Sequence, residues 1–275
     1  MEKFLTDLHT HTTFSYDGKD SPAKMLEEAQ KRGVSFYGVS DHFDLDGDAS
    51  AYTKEEWEKL QNGDTKEYFH ALRHLQEDYA GVMNVFVGAE FGFSEREEVK
   101  KRYVEIYEKY KPDFVINSIH CDGGRDYAYS PITQDKQTLY GRYLRLIRES
   151  LDAPYPYDIV GHIGYVMRYA PFDDKDIDLN EFKKPLDDIL TTIIQKDKIL
   201  EVNTASKQLE TPILPTEAIL KRYFELGGRK ISFGSDAHFV ERIMEKRELA
   251  LNILKKIGFT YLTVPCKGEH IKVEI

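Results

Sequence analysis

The sequence predicts an α/β fold in which about seven strand–helix units form a single barrel. Seven short apolar runs, rich in β-branched and aromatic residues, mostly lack polar alternation, which is typical of strands covered on both faces. Longer segments with apolar residues at helical spacing separate these runs, and this alternation implies parallel pairing with right-handed crossovers. No Pro/Ser/Gly-rich linker divides residues 1–275, which predicts one domain. The predicted strands are residues 4–8, 35–39, 85–88, 114–116, 157–160, 199–202 and 230–233.

Four helices are predicted from their ends and apolar stripes. The first begins with Ser21 as N-cap and Pro22 in the first turn, and ends at Gly33. Ser94 followed by Glu97 resembles a capping box that opens another helix. The longest polar insertion, residues 45 to 65, could form a flap over the barrel mouth, and the sequence does not decide whether it closes over substrate. The remaining stripes are Tyr68, Leu72, Leu75 and Tyr79; Val99, Tyr103, Ile106 and Tyr110; and Leu139, Tyr143, Ile147 and Leu151.

The composition argues against several classes of protein. With 38 basic and 48 acidic residues the net charge is −10, so we expect no binding of long nucleic acid through a basic surface. No apolar stretch approaches the roughly 20 residues that span a bilayer, and the first residues lack the apolar run of a signal peptide, so we expect no membrane association. The two cysteines, Cys121 and Cys266, form no disulfide framework, which is typical of a cytoplasmic protein.

Side chains that bind metals follow the carboxyl ends of the predicted strands. In a parallel barrel these ends converge on one face, where active sites of such barrels lie. Six of the nine histidines are found there. Asp41 and Asn203 lie at the same ends. The candidate metal ligands are His9, His11, Asp17, His42, Glu90, His120, His162, Asp236 and His238.

These nine residues predict more than one bound ion. Imidazole and carboxylate ligands suit zinc, iron or manganese, and the scarcity of thiolates argues against a structural zinc site. His9 and His11 lie on an extended segment where residues i and i+2 point the same way, so both imidazoles can hold one ion. Asp236 and His238 repeat that spacing. We therefore predict two or three divalent ions, with Glu90 as the bridging carboxylate.

Four other residues of metal-binding type are expected to be structural. His70 and His74 are one helical turn apart, a spacing that could hold an ion but more often marks a solvated face. His270 is expected in a polar tail. Cys121 follows His120 but has no paired base, so we expect a packing residue.

Six ordered motifs resemble those of the PHP (polymerase and histidinol phosphatase) superfamily. The resemblance runs from residue 4 to about 240 and implies a distorted (β/α)7 barrel with a trinuclear metal centre at the carboxyl ends of its strands. The motifs are Asp7-Leu8-His9-Thr10-His11, Ser40-Asp41-His42, Glu90, Ser118-Ile119-His120, Gly161-His162 and Gly234-Ser235-Asp236-Ala237-His238.

The resemblance also implies which residues hold each ion. Many family members have histidine at the position of Asp17, and the harder carboxylate favours manganese or iron over zinc there. Asp41 is expected outside the ligand set, orienting His42 or a water. The implied sets are His9, His11, Glu90 and Asp236 for the first ion; Glu90, His120 and His162 for the second; and Asp17, His42 and His238 for the third.

Residues 151–169 are similar to the histidinol-phosphate phosphatases of this superfamily. The resemblance implies a phosphoric monoester hydrolase that acts on L-histidinol phosphate in histidine biosynthesis, using a hydroxide held between the first two ions. Asp236 is the catalytic candidate to accept or relay the proton of that hydroxide, and His238 and Asp41 are weaker candidates near the leaving oxygen.

Two arginines are candidates for binding the substrate phosphate. Arg168 could fork onto it bidentately, and the equally weighted alternative is a helix-surface arginine paired with an acid. Arg125 lies in a glycine-containing loop with Asp122 and Asp126, which could receive a cationic group of the substrate. For these two acids an ordinary acidic turn is the favoured interpretation.

Three other functions stay open at the level of sequence. The nearest is a PHP phosphoesterase that acts on nucleotides or phosphodiesters with the same ions. A catalytically silent PHP scaffold for protein binding is disfavoured, because all nine positions hold ligand-competent residues. A metal-dependent amide or ring hydrolase would require eight units and a bridging lysine, and the sequence offers no candidate for either.

Overall fold

The computed structural model describes residues 4–46, 65–206 and 212–275, and each of the seven predicted runs contains a strand. The predicted flap, residues 45 to 65, lies outside the described residues except at its ends. The strands are β1 Leu5–Asp7, β2 Val34–Val39, β3 His42–Phe43, β4 Asn84–Val87, β5 Ala89–Gly92, β6 Val115–Ser118, β7 Cys121–Asp122, β8 Arg125–Asp126, β9 Ile159–Val160, β10 Ile199–Asn203, β11 Ile231–Gly234, β12 Tyr261–Cys266 and β13 Glu269–Glu274. The helices are α1 Pro22–Lys31, α2 Thr65–Asp78, α3 Glu97–Tyr110, α4 Lys136–Ser150, α5 Lys183–Gln195, α6 Glu217–Glu225 and α7 Arg247–Ile257.

Parallel strands form the predicted distorted barrel. One sheet has the order β1-β2-β4 and a second the order β11-β10-β9-β6-β5-β3. The two sheets are continuous because β2 leads into β3 and β4 into β5: Val39 lies opposite Val87, and His42 opposite Glu90, in one register. The ring closes where Leu8 N donates to Phe233 O (3.0 Å) and Thr10 bridges Ala237. The described strands thus give seven parallel positions around the barrel.

The barrel interior is layered along its axis. A lower layer is apolar and includes Phe86, Ile116, Ile159 and Ile199. Because side chains two residues apart on a strand share a face, the next inward positions are Ser118, Gly161 and Glu201. A Cβ at Gly161 would lie 2.3 Å from Ser118 Oγ, so only glycine leaves room there. The polar layer therefore lies directly above an apolar base.

An antiparallel hairpin, β12–β13, packs against this apolar base, with Val264 and Val273 buried in the same cluster. His270 lies on β13, where Val273 is buried and the other residues are exposed or partly exposed, so the segment is a largely polar strand and not an unstructured tail. Ile271 and Val273 share a face of β13, but only Val273 is buried, so the covered part of this face is short.

The predicted helices are present, but one predicted cap is wrong. Ser21 caps α1 by accepting from Lys24 N (3.4 Å), and Gly33 follows with φ of 75°. Ser94 instead accepts from Arg96 N (3.0 Å), and α3 begins only at Glu97, so no capping box forms. The Arg96 side chain is used elsewhere, in an ion pair with Asp46 (2.8 Å). Among the described helices, none is long and apolar enough to cross a bilayer.

Candidate metal centre

Glu90, fully buried on β5, lies at the centre of a cluster of imidazoles. Its Oε1 is 2.9 Å from His162 Nε2 and 3.2 Å from His120 Nε2. Its Oε2 is 3.4 Å from His9 Nε2 and 3.7 Å from His11 Nε2. The two carboxylate oxygens thus face different pairs of imidazoles, as a bridging carboxylate would.

Asp236 completes the group formed by His9 and His11. Its Oδ1 lies 3.3 Å from His11 Nε2 and 3.9 Å from His9 Nε2. Asp236 has a left-handed φ of 54°, a strained conformation for a residue with a Cβ. The preceding Ser235 N donates to the buried Asp7 carboxylate (2.9 Å), and this bond helps to hold the segment in place.

A third group lies nearer the solvent. His238 Nε2 is 3.1 Å from Asp17 Oδ2 and 3.4 Å from His42 Nε2, while His42 Nε2 is 3.7 Å from Asp17 Oδ1. The Asp17 side chain is 35% exposed, whereas Glu90 is fully buried. His42 also contacts Glu90 Oε2 through Nδ1 (2.8 Å), so this group adjoins the other two.

The donor atoms fit divalent ions. Two atoms bound to one tetrahedral ion at about 2.1 Å lie about 3.4 Å apart, and separations of 2.9 to 3.9 Å recur throughout the cluster. Among the described residues, His9 Nε2, His11 Nε2 and Glu90 Oε2 are buried without a hydrogen-bond partner. Buried polar atoms are rarely left unpaired, so a bound cation is the partner that this arrangement calls for.

The outer ring nitrogen of four histidines is already engaged. When Nδ1 donates a proton to an oxygen, the neutral ring presents Nε2 as a free ligand atom, which is the usual arrangement around protein-bound metals. In each of these four cases Nε2 faces the cluster. The pairs are His9 Nδ1 with Glu201 Oε1 (2.6 Å), His11 Nδ1 with Ser15 Oγ (3.1 Å), His120 Nδ1 with Asp44 Oδ1 (2.8 Å), and His238 Nδ1 with Asp236 O (3.0 Å).

Without an ion, the electrostatics favour the metal-binding protonation state at Glu90 and at His11 but not at every ligand candidate. Burial raises the pKa of the Glu90 carboxyl, but the charges of His9, His120 and His42 outweigh burial and hold that pKa well below its usual value. Burial lowers the pKa of His11, and the charges of His238 and His42 lower it further. For His42, burial lowers the pKa, but the charges of Glu90 and Asp17 outweigh burial and raise it to about 9. An ionised carboxylate and a neutral imidazole are the forms that bind a metal.

Asp41 lies outside the cluster, but its role differs from the expected one. It does not bind the His42 ring; it accepts from Thr12 N (2.6 Å) and from Ser15 Oγ (2.6 Å). Because Ser15 Oγ also contacts His11 Nδ1, Asp41 fixes the segment that orients His11. A carboxylate on the end of β2 thus supports a ligand candidate on the end of β1.

Glu201 and Asp44 are functional candidates that the sequence reasoning missed. Both are buried, and they bind the outer nitrogens of His9 and His120. An acid inside the apolar run Ile199–Asn203 was a usable signal for Glu201, because a charge in a buried strand needs a partner. Glu201 lies inside the strand and not at its end, so it was not among the candidates at the strand ends.

Arg168 lies beside the cluster and is not a surface arginine. Its side chain is 9% exposed, and Nη2 donates to Asn203 Oδ1 (2.9 Å) and Asp236 Oδ2 (3.3 Å). The alternative of a helix-surface arginine paired with an acid is therefore wrong in the surface position but right in the pairing, which is with Asp236. Its role in binding phosphate stays a prediction.

The other predicted residues lie apart from the cluster or beside it. Arg125 is exposed on β8, and none of its described contacts reaches the metal-ligand candidates. Asp122 accepts from Arg142 Nε (2.9 Å), as in an ordinary acidic turn. Asp126 is buried, and burial raises the pKa of its carboxyl to about 6.

The positions of His70, His74 and Cys121 agree with the structural roles expected for them. His70 and His74 lie on the exposed face of α2, with 3.2 Å between their Nε2 atoms. Cys121 is buried, and burial raises the pKa of its thiol well above the usual value. A protonated thiol is a poor nucleophile and ligand.

Comparison with known proteins found a matching family model and similar proteins. The family model described as PHP domain matches residues 7–205. The chain is 29% identical to a protein named probable histidinol-phosphatase from Clostridium acetobutylicum, covering 86% of this chain and 88% of that protein. It is 28% identical to the histidinol-phosphatase of Lactococcus lactis, covering 92% and 91%.

Two solved structures share the architecture. The crystal structure of histidinol phosphate phosphatase from Lactococcus lactis, complexed with zinc, L-histidinol and phosphate, superposes with a TM-score of 0.83 at 26% identity, covering 98% of this chain and 99% of that one. A structure from Listeria monocytogenes has a TM-score of 0.75 at 20% identity, covering 89% and 99%, and shows the fold alone.

Proposed function

The chain belongs to the PHP domain family, and from that premise we propose that it is a metal-dependent histidinol-phosphatase. It hydrolyses the phosphate monoester of L-histidinol phosphate to L-histidinol and phosphate, a step of histidine biosynthesis. The observation that carries the proposal is the cluster of imidazoles and carboxylates around Glu90, with buried Arg168 beside it. The Lactococcus structure with zinc, L-histidinol and phosphate supports the same substrate.

The centre holds two or three divalent ions chosen from zinc, manganese and iron. We assign the first to His9, His11, Glu90 and Asp236, the second to Glu90, His120 and His162, and the third to Asp17, His42 and His238. When bound, such ions stabilise charge on phosphoryl oxygens and let water supply a nucleophile near neutral pH.

Arg168 and Asp236 act on the reacting groups. The Arg168 guanidinium is planar and nine-tenths buried, so it can fork onto two phosphate oxygens with little loss of side-chain entropy. Asp236 presents Oδ1 toward His11 and Oδ2 toward Arg168, between the metal-ligand candidates and the phosphate-binding candidate. Asp236 is therefore our candidate to accept the proton of the attacking water.

We also propose a cytoplasmic location. Both cysteines are free, Cys121 buried and Cys266 partly buried, which is typical of a reducing compartment. Arg125 remains a second candidate for the substrate phosphate, and Asp122 and Asp126 beside it are the candidates to receive a cationic group of the substrate.

The test is phosphate release from L-histidinol phosphate by enzyme stripped of metal and reconstituted separately with zinc, manganese or iron. We expect kcat/KM above about 10⁴ M⁻¹s⁻¹ with at least one ion. Absence of turnover with every ion, on protein that holds metal, would refute this substrate. Turnover of nucleotides or phosphodiesters in the same samples would instead support the alternative phosphoesterase, and Glu90→Gln serves as the inactive control.

A further inference from the structure

Glu201 links two parts of the metal centre through a single buried carboxylate. It lies on β10, 1% exposed, at the level of the barrel interior where the polar layer begins. Its Oε1 is 2.6 Å from His9 Nδ1, and its Oε2 accepts from His162 N (2.6 Å). Asn203 Nδ2 lies 3.4 Å from the same Oε2. The carboxylate therefore joins the ends of β1 and β9, strands that do not pair with each other.

These contacts fix two imidazoles on either side of Glu90. The bond to Nδ1 of His9 leaves its Nε2 facing Glu90 and Asp236. The bond to the backbone of His162 holds that residue where its Nε2 meets the other oxygen of Glu90 (2.9 Å). The rings of His9 and His162 lie 5.6 Å apart, centroid to centroid.

His9, His162 and Glu201 lie close enough together to hold an ion, but the hydrogen bonds of Glu201 place it outside the ligand set. It contacts His9 through the nitrogen opposite the one that faces the cluster, and a nitrogen that donates to a carboxylate cannot also bind an ion. Its second oxygen is occupied by a backbone N–H. A direct ligand would instead direct a free oxygen toward Glu90 and Asp236.

We propose that Glu201 is a positioning residue that sets the separation and orientation of His9 and His162, and that the affinity of the centre for its ions depends on it. The inference rests on the proposed function only in taking this cluster as the metal centre. It goes further by assigning a residue that touches neither the ions nor the substrate.

A glutamine cannot take over this role. A carboxylate accepts hydrogen bonds at both oxygens, whereas an amide accepts at one atom and donates at the other. In Glu201→Gln, either His9 Nδ1–H or His162 N–H would face an NH₂ group, and that contact would be lost. Mutation of a carboxylate that hydrogen-bonds to a metal ligand typically weakens metal affinity by about 10- to 100-fold.

The experiment measures zinc affinity of the full chain by competition with a chelator. We expect Glu201→Gln to bind zinc about 10- to 100-fold more weakly, to reach the wild-type stoichiometry at saturating zinc, and to recover turnover in part as zinc is added. Unchanged affinity would overturn the proposal. A stoichiometry that stays below wild type at saturation would also overturn it, because Glu201 would then be a ligand.

The matched control is Asp113→Asn. Asp113 is another buried carboxylate with several donors, accepting from Arg73 Nη1 (2.7 Å), Gln76 Nε2 (2.8 Å) and Val87 N (2.9 Å). It precedes β6 and so lies at the opposite end of the barrel from the metal centre. We expect Asp113→Asn to lower the melting temperature without changing zinc affinity. If Glu201 had only a structural role, Glu201→Gln would behave in the same way.

A second variant and a measurement without substrate keep the possible results distinguishable. If Glu201→Gln does not fold, Glu201→Asp is measured in its place; it keeps both acceptors but is one methylene too short to reach both donors, so we expect weaker zinc binding. Zinc affinity is measured without substrate. Failure of the wild type on L-histidinol phosphate would therefore refute the proposed function and leave the role of Glu201 standing. Unchanged zinc affinity in the variants would refute the role of Glu201 and leave the proposed function standing.

Discussion

Replacing Arg168 by methionine tests the substrate side of the site. Methionine keeps much of the side-chain volume but removes the guanidinium, which in the structure donates to Asn203 (2.9 Å) and Asp236 (3.3 Å). A fork onto phosphate would supply two charge-assisted hydrogen bonds of about 1.5–3 kcal/mol each, and we take about 3–4 kcal/mol for the pair. That loss corresponds to a decrease of about 10²- to 10³-fold in kcat/KM, with most of the effect in KM.

The same substitution should change stability only slightly. Asn203 Oδ1 keeps the Ala205 N–H as a donor (2.9 Å), and Asp236 keeps its imidazole neighbours. We therefore expect a cost of about 1–2 kcal/mol, or a decrease of only a few degrees in Tm. Tm is measured by thermal unfolding of the metal-loaded protein, and kcat/KM by phosphate release.

Arg222→Met is the matched control, because Arg222 also forks onto a carboxylate, Asp187, with contacts of 2.6 and 2.9 Å, but lies between α5 and α6 on the outside of the barrel. It should leave kcat/KM unchanged. A kcat/KM within about threefold of wild type for Arg168→Met would refute the assignment of Arg168 to the phosphate. Parallel measurement of Arg125→Met decides between the two arginines.

Three more outcomes are expected. His120→Ala should abolish phosphate release while its circular dichroism stays native; wild-type turnover with unchanged metal content would remove His120 from the mechanism. Chelation should lower Tm, because ions that bind only the folded state add about 4 kcal/mol at 1,000 times Kd; an unchanged Tm would contradict tight binding. Tyr103→Phe should lower the free energy of unfolding by about 1–3 kcal/mol in urea, since Tyr103 Oη can donate to Phe43 O (2.5 Å) or Gly92 O (2.7 Å) and accepts from Leu45 N (3.2 Å). A loss below about 0.5 kcal/mol would show that water replaces those bonds.

Sequence by itself determined seven barrel strands, four of the seven described helices and the cluster of metal-ligand candidates. Strand and helix periodicities are local properties of the chain, and so is the position of a polar residue at the end of an apolar run. Convergence of strand ends in a parallel barrel is general, so Glu90 and the six histidines could be grouped without coordinates. The structure places a ring nitrogen of five of these histidines within 4 Å of the Glu90 carboxylate, and His238 beside His42.

Only the tertiary structure decided which residues support that cluster. Glu201 meets His9 across 192 positions of sequence, and Asp44 meets His120 across 76, so no local pattern encodes either pair. Arg168 likewise contacts Asn203, at the end of β10, and Asp236, just beyond β11, both distant from it in sequence. Contacts between side chains distant in sequence are fixed by packing of the whole barrel, whereas periodicity and residue type act within a few residues. The sequence therefore specified the metal-ligand candidates, and the fold specified what holds them in place.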